Sequence, residues 1–512
     1  MGIHLSIRML SKLLVLLLFH LVVANFVDSL QQLSCHAEES SALLQFKESF
    51  MIDKSASSND GAYPKVSSWK PVGGGNSSCC SWDGVECDEM TGHVIGLNLS
   101  SSYLYGSLDS NSSLFSLVHL QRLSLSDNNF NYSQIPSSIR NFPGLTHLDL
   151  SWSFFSGQVP SEVSHLSKLT YLDLCCNVIE NGTPGHPDRL LKLQPSDMRS
   201  LGQLPRSLAN CVMLEYLVLS NNQFSDVFPI WLGTLPELKL LTMRHNGFNG
   251  VIGQSRTNFD FPKLRILDLS YNNFTGEIPP LFPDIAVNMS TYMQAQVHYA
   301  IIYVGRSVDY SITLAIKGLD LYYSKVREGF AAIDISNNKF EGKIPKFIGN
   351  LKELRSLNIS SNILTGSIPS SLGNLRNLES LDLSQNKLLG QIPQQLTQLS
   401  FLGTFNVSHN NLTGPIPQGT QLTSFNSTSY DGNLGLCGDP LPNKCGNQRP
   451  PSTKEDNGSG SIGMVEFDFK FVLAGIGSGC VLGVVLADVL ITRRQELFLR
   501  VVGMVRLIIW KR

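Results

Sequence analysis

Five aspartates recur at one place in a repeated pattern: Asp149, Asp173, Asp268, Asp334 and Asp382. A row of carboxylates could hold a cation or pass protons. Each, however, is the middle residue of an apolar-x-apolar triplet such as Leu148-Asp149-Leu150 or Leu381-Asp382-Leu383, the alternation of a short strand. The row therefore reads as a solvated polar position of a repeat. The chain contains no Gly-x-Ser-x-Gly, His-Glu-x-x-His or phosphate-binding loop. No catalytic residue, cofactor or metal site is expected, and the chain is not read as an enzyme. The net charge of −2 argues against nucleic acid as a partner.

The element that positions these residues repeats every 24 residues. Ile333, Leu357, Leu381 and Phe405 keep that spacing, as do Asn338, Asn362, Asn386 and Asn410, then Gly342, Gly366, Gly390 and Gly414, then Pro345, Pro369, Pro393 and Pro417. A fixed period with apolar residues at fixed phases marks a leucine-rich-repeat solenoid, an α/β repeat fold. Leu357 and Ile359 point inward and Asn358 outward. Asn362 sits at the turn, where its amide meets backbone groups that the stack would otherwise bury unpaired. Gly366 permits the next bend, and Ile368-Pro369 starts a second extended run. No block has its own core, so stability is a sum of stacking interfaces and both ends need caps.

Earlier strands lie at Leu97-Asn98-Leu99, Leu123-Ser124-Leu125, Leu148-Asp149-Leu150 and Leu172-Asp173-Leu174. Asn177 and Asn222 are 45 residues apart, which makes the stretch from Glu180 to Leu201 a degenerate repeat or the scar of an internal loss. Asn272 and Asn338 are 66 apart, and residues 283–329 between them form an insertion rich in tyrosine and β-branched residues. The organisation is then: signal peptide 1–29, N-terminal cap 30–92, repeats 93–282 (irregular at about 180–201), insertion 283–329, four regular repeats 330–425, C-terminal cap 426–445, polar acidic stalk 446–470, transmembrane helix 471–491 and short basic cytosolic tail 492–512.

The ends carry the compartment signals. Arg8 and Lys12 precede a leucine run, which reads as a secretory signal peptide cleaved between Ala24 and Ser29. Phe471 to Ile491 is about 20 apolar residues, enough to cross a bilayer, and the arginines that follow place the repeats outside. Gly475, Gly479 and Gly483 share one helix face and allow close approach of a second helix. Asp488 lies near the inner end of that span and reaches toward Arg493. The tail has no room for the motifs of a kinase.

The ten cysteines then meet an oxidising compartment. We pair Cys35 with Cys79, Cys80 with Cys87 and Cys437 with Cys445, although sequence alone leaves the connectivity of the first four open. Cys175, Cys176, Cys211 and Cys480 read as buried thiols. Glycosylation sequons begin at Asn76, Asn98, Asn111, Asn131, Asn181, Asn273, Asn288, Asn358, Asn406, Asn411, Asn426 and Asn457. Glycans on Asn98, Asn358 or Asn406 would cover the inner strand face. A binding face lies elsewhere, or those sites stay unmodified. The inner-face candidates are His147, Trp152, Tyr171, Glu215, Tyr216, Lys239, Arg244, His245, Arg265 and Tyr271.

Several of these stretches resemble one family. Glu38 to Lys47, Trp69 and the run Cys79-Cys80-Ser81-Trp82-Asp83-Gly84-Val85-Glu86-Cys87 resemble the N-terminal cap of plant leucine-rich-repeat receptors. The Gly-x-Ile-Pro half of each repeat resembles the plant-specific repeat, the insertion with Lys317-Gly318-x-Asp320 resembles an island domain, and Gly432 to Leu441 resembles the C-terminal cap. The whole chain is similar to plant leucine-rich-repeat receptor-like proteins, the class of Cf-type resistance proteins and elicitor receptors. The resemblance implies a plant-type horseshoe with an island and one transmembrane helix at the plasma membrane. It implies a receptor that senses a microbial or damage-derived peptide, protein or glycan in defence. Its partners would be an adaptor receptor kinase, paired through the glycine face, and a SERK-type co-receptor kinase at Thr420 and Gln421. A developmental peptide co-receptor, a truncated or decoy receptor and a wall-enzyme inhibitor are the rival readings. Such receptors usually carry more repeats than this chain.

Overall fold

A computed structural model describes residues 35–71, 78–178, 204–253, 261–280, 312–316, 319–323, 330–419 and 421–445. All belong to one compact unit, residues 1–446. The signal peptide, the stalk, the span with Gly475, Gly479, Gly483 and Asp488, and the tail lie outside the described residues. Among the described residues, no helix is long and apolar enough to cross a membrane.

The unit is built on one sheet of twelve strands stacked in sequence order. Val85–Cys87 pairs antiparallel with Val94–Asn98, and every later pair is parallel. Register follows the period, with Leu357 opposite Leu381 and Leu381 opposite Phe405. Leu357 and Ile359 are fully buried while Asn358 stays half-exposed.

The second half of each repeat departs from expectation. The second strand, Thr365–Ser367, comes before Ile368-Pro369 and is centred on Gly366, whose φ of 75° is a left-handed conformation that glycine holds without penalty. Pro369 does not begin an extended run. It precedes a 3-10 turn, Ser370–Asn374, and its carbonyl accepts the Leu372 N–H at 3.2 Å. Proline has no N–H for a strand ladder but leads readily into a helical turn.

Both irregular intervals leave the ladder unbroken. Tyr171–Asp173 pairs directly with Tyr216–Val218, while the stretch from Glu180 to Leu201, read as a degenerate repeat or the scar of an internal loss, lies outside the described residues. Ile266–Asp268 pairs directly with Ala331–Asp334 across the long insertion. Of that insertion, the described residues form an antiparallel hairpin, Ile312–Ile316 with Leu319–Tyr323. Stacking depends only on the register of neighbouring turns, so the return path between rungs can lengthen at small entropic cost.

Two interior features hold neighbouring turns together. Asn362 donates to the carbonyls of Ile335, Ile359 and Ser360 at 3.0–3.2 Å and accepts the Phe340 N–H at 2.9 Å. The same bonding recurs at Asn128, Asn177, Asn246, Asn272, Asn338, Asn386, Asn410 and Asn433. Ser153 stands in for asparagine in one turn, donating to Leu125 and Ser151. Beneath them, Phe224, Phe248, Phe274 and Phe340 stack in a fully buried file with centroids 5.8–6.2 Å apart.

The ends are capped as a solenoid requires. The helix Ala37–Glu48 buries Ala42, Leu43 and Phe46 against the first turns. Trp69 is buried, stacks on Trp82 at 5.5 Å and donates its indole N–H to Asp83. Disulfides join Cys35 to Cys79, Cys80 to Cys87 and Cys437 to Cys445. Cys211 is a buried thiol, and burial pushes its pKa up to about 11, so it is inert. Cys175 and Cys176 are not thiols: the structure bonds them to each other. They occupy the turn that follows a strand, where adjacent side chains are not forced to opposite faces of a pleat.

Candidate functional site

The aspartate row is solvated only in part: Asp149 and Asp382 are half-exposed, and the other three are buried. Asp268 is 2% exposed and Asp334 7%, and Asp173 is buried as well. Each carboxylate closes a turn at the end of its strand by accepting the N–H two residues on. The acceptors are Asp149 from Ser151 (3.1 Å), Asp173 from Cys175 (2.8 Å), Asp268 from Ser270 (2.9 Å), Asp334 from Ser336 (2.9 Å) and Asp382 from Ser384 (2.9 Å). The second oxygen is tied down too, Asp149 by Ser124, Asp334 by Asn358 and Asp173 by the Tyr171 hydroxyl. This row is a structural Asp-x-Ser device with no oxygen poised for chemistry.

The sequons Asn358-x-Ser360 and Asn406-x-Ser408 are the same device with asparagine. Asn358 accepts from Ser360 and donates its amide to Asp334 at 3.0 Å, and Asn406 donates to Asp382 at 3.4 Å. Both residues are half-buried with their amides engaged in these bonds. Asn98 is exposed, as are Asn111, Asn131, Asn273, Asn411 and Asn426. Asn76, Asn181, Asn288 and Asn457 lie outside the described residues.

Burial has an electrostatic consequence. Asp173 is pushed up from 3.8 to about 7, first by burial and then by the Asp149 charge, against the bonds from Cys175 and Tyr171. The buried Asp334 is raised the same way, with Asp268 beside it. A carboxyl whose folded pKa is raised binds its proton more tightly in the native state. Its contribution is therefore favourable at acid pH and is lost as pH climbs from about 4 toward 7. His147 opposes this over part of the range, because burial and the Arg122 charge lower it to about 4. The Asp173→Asn variant isolates the term. Its unfolding free energy falls less between pH 4 and pH 7 than that of the native chain, by on the order of 3 kcal/mol. Denaturant titrations at both pH values measure this, and parallel pH slopes would rule the buried carboxyl out.

A different row faces outward. The residue before each ladder residue has a left-handed backbone: Asp127 (φ 52°), Trp152 (54°), Cys176 (62°), Asn221 (53°), His245 (51°), Tyr271 (55°), Asn337 (51°), Ser361 (53°), Gln385 (53°) and His409 (54°). Small polar residues suit this conformation and bulky ones pay for it in strain. Trp152, His245, Tyr271 and His409 carry rings there, and Trp152 is 59% and Tyr271 41% exposed. His245 stacks on Tyr271 at 4.0 Å and the Arg244 guanidinium lies 5.3 Å from the same ring. With Asp149, Asp173 and the Cys175–Cys176 pair, Trp152, Arg244 and His245 line a cleft of about 670 Å³ on the ladder's strand face.

The other inner-face candidates are less available. Tyr171 is buried, a correction, because its ring packs between His147 and Tyr216 and its hydroxyl bonds Asp173. Glu215 and Lys239 form an ion pair at 2.7 Å, and Arg265 is half-buried. Gln421 is half-buried and donates to the Ser400 carbonyl at 2.9 Å, while Thr420 lies outside the described residues. Sequence reasoning found Trp152, His245 and Tyr271 but missed what unites them. The signal was available, namely large rings directly before a ladder residue where other repeats carry Asp, Asn, Ser or Gln.

The leucine rich repeat N-terminal domain family matches residues 36–88. Leucine rich repeat families match residues 331–388 and residues 119–142, 213–235 and 263–285. None of these is an enzyme family. Over 306 residues the chain is 50% identical to Receptor like protein 27 of Arabidopsis thaliana, covering 58% of this chain and 37% of that protein. It is 48% identical over 316 residues to Receptor like protein 23 of the same plant, covering 58% and 35%. The match thus spans little more than a third of these relatives' length. Among solved structures, the crystal structure of a plant ice-binding protein is similar in fold, with a TM-score of 0.50 and 25% identity over 81% of this chain and 99% of that one.

Proposed function

We propose that this chain, a leucine-rich repeat protein of the plant receptor-like kind, is the sensing component of a cell-surface receptor in defence. The observation that carries the reading is the cleft lined by Trp152, Arg244 and His245, in which Trp152 and His245 hold left-handed backbone positions and the Tyr271 ring stacks on His245. Backbone strain retained where side chains are exposed favours recognition over packing. Exposed aromatic rings beside an arginine are the usual anchors of a bound peptide or protein. A peptide bearing an aromatic or acidic group fits the Arg244–Tyr271 side, and a basic group fits the Asp149 side.

The receptor is a single-pass plasma-membrane protein with its repeats outside. The span at 471–491 pairs through Gly475, Gly479 and Gly483 with an adaptor receptor kinase, which supplies kinase activity. A SERK-type co-receptor docks near Thr420, and Gln421 keeps the neighbouring cap closed through Ser400. A receptor for a developmental peptide would differ in ligand only. A ligand-blind decoy would keep the span and lose the cleft's function. Co-immunoprecipitation of the full chain with membrane kinases tests the signalling half. The native chain is expected to capture a kinase that a Gly475, Gly479, Gly483→Leu variant captures at least about tenfold less. Equal capture by both would sink the pairing face.

A further inference from the structure

Three imidazoles stack where the cap helix meets the first two rungs of the ladder. The His36 ring lies 3.9 Å from that of His93, with planes 10° apart, and the His93 ring lies 3.8 Å from that of His119, at 30°. Glu39 sits beside them and is only 7% exposed. Its Oε2 accepts the Val94 N–H at 3.0 Å, and its Oε1 is 3.2 Å from His93 Nδ1. One donor atom from each of Glu39, His93 and His119 falls within 4.8 Å of the others. An imidazole binds a metal in its ring plane, so the exposed His119 ring would turn out of the stack to share an ion with His93 and Glu39.

We propose that Glu39, His93 and His119 form a binding site for a divalent transition-metal ion of the zinc or copper class. The donor set is right for such ions: imidazole nitrogens with one carboxylate suit zinc and copper over calcium or magnesium. The 3.2 Å between Glu39 Oε1 and His93 Nδ1 is close to the roughly 3.4 Å that separates two donors on a tetrahedral ion with bonds of about 2.1 Å. Val94 orients the carboxylate from behind, as an outer hydrogen bond does for a metal ligand. His119 is exposed, so a fourth position opens to solvent. The nearby Cys35, Cys79, Cys80 and Cys87 are committed to disulfides and do not compete as ligands. A bound ion would tie three separate segments, the cap helix and the entries to two successive rungs, and would stabilise the cap by mass action.

The test uses the purified full chain after treatment with a chelator. Zn²⁺ is expected to raise its unfolding temperature while Mg²⁺ does not. One equivalent of Cu²⁺ is expected to give an electron paramagnetic resonance spectrum with coupling to two imidazole nitrogens. His119→Ala removes an exposed ring and leaves the fold intact. It is expected to weaken Cu²⁺ binding at least about tenfold and to lose one nitrogen coupling. His165→Ala, on the exposed turn Ser161–His165, is expected to bind as the native chain does. The proposal is overturned if Zn²⁺ leaves unfolding unchanged, or if His119→Ala binds Cu²⁺ with native affinity and spectrum.

Discussion

Replacing Asn386 with alanine lowers the unfolding free energy by about 3–5 kcal/mol. The side chain fills four hydrogen-bonding roles at once. It donates to Ile359 at 3.0 Å, Leu383 at 3.2 Å and Ser384 at 3.1 Å, and accepts the Leu364 N–H at 3.1 Å. Its surroundings exclude water, because Ile359, Leu364 and Leu383 are fully buried. Alanine leaves one donor and at least one acceptor unpaired there, each costing roughly 1–3 kcal/mol. The loss is also shared between turns, because Ile359 and Leu364 belong to the turn before. In a one-dimensional stack each turn contacts only its neighbours, so the loss falls on one interface, where the pairing of Leu357 with Leu381 remains. Serine is expected to cost far less, because Ser153 already fills this role in one natural turn by donating to Leu125 and Ser151. Urea unfolding of both variants measures the difference. An alanine variant within about 0.5 kcal/mol of the native chain would mean that the ladder bonds are not what couples the turns.

The second expectation separates function from stability at Trp152. A phage-displayed random peptide library selected on the native full chain yields binders, and Trp152→Ala binds them at least about tenfold more weakly. Its unfolding temperature does not fall, because the ring is 59% exposed and fills no core space. Trp152→Asn goes further. Asparagine tolerates the φ of 54°, so that variant is expected to gain about 0.5–1 kcal/mol of stability while losing the same binding. A residue kept against the backbone's preference is one whose side chain does something other than hold the fold. If the selected peptides bind Trp152→Ala and the native chain alike, the cleft is not the recognition surface.

The repeat could be read without coordinates because it is a local code. The 24-residue spacing of Leu, Asn, Gly and Pro fixes strand phase, turn and bend within each block, and stacking then needs only that neighbours share the phase. That is why Leu357, Asn362 and Gly366 were assigned correctly one block at a time. Even the left-handed position was legible, since it always precedes the ladder residue. What stayed hidden was whatever depends on adjacent turns together. The aspartates looked solvated because each strand alone exposes its middle residue. Asp173 and Asp334 are buried because a neighbouring group covers the second oxygen, Tyr171 on Asp173 and, from the next rung, Asn358 on Asp334. The interval between Asn177 and Asn222 reads as a degenerate repeat or a scar because length is all that sequence shows of it, whereas the direct pairing of Tyr171 with Tyr216 is visible only in the fold. Glu39, His93 and His119 share no motif and no period. Their meeting is decided only by how a cap helix docks on the first turns of the ladder, which is a matter of tertiary packing and not of local spacing.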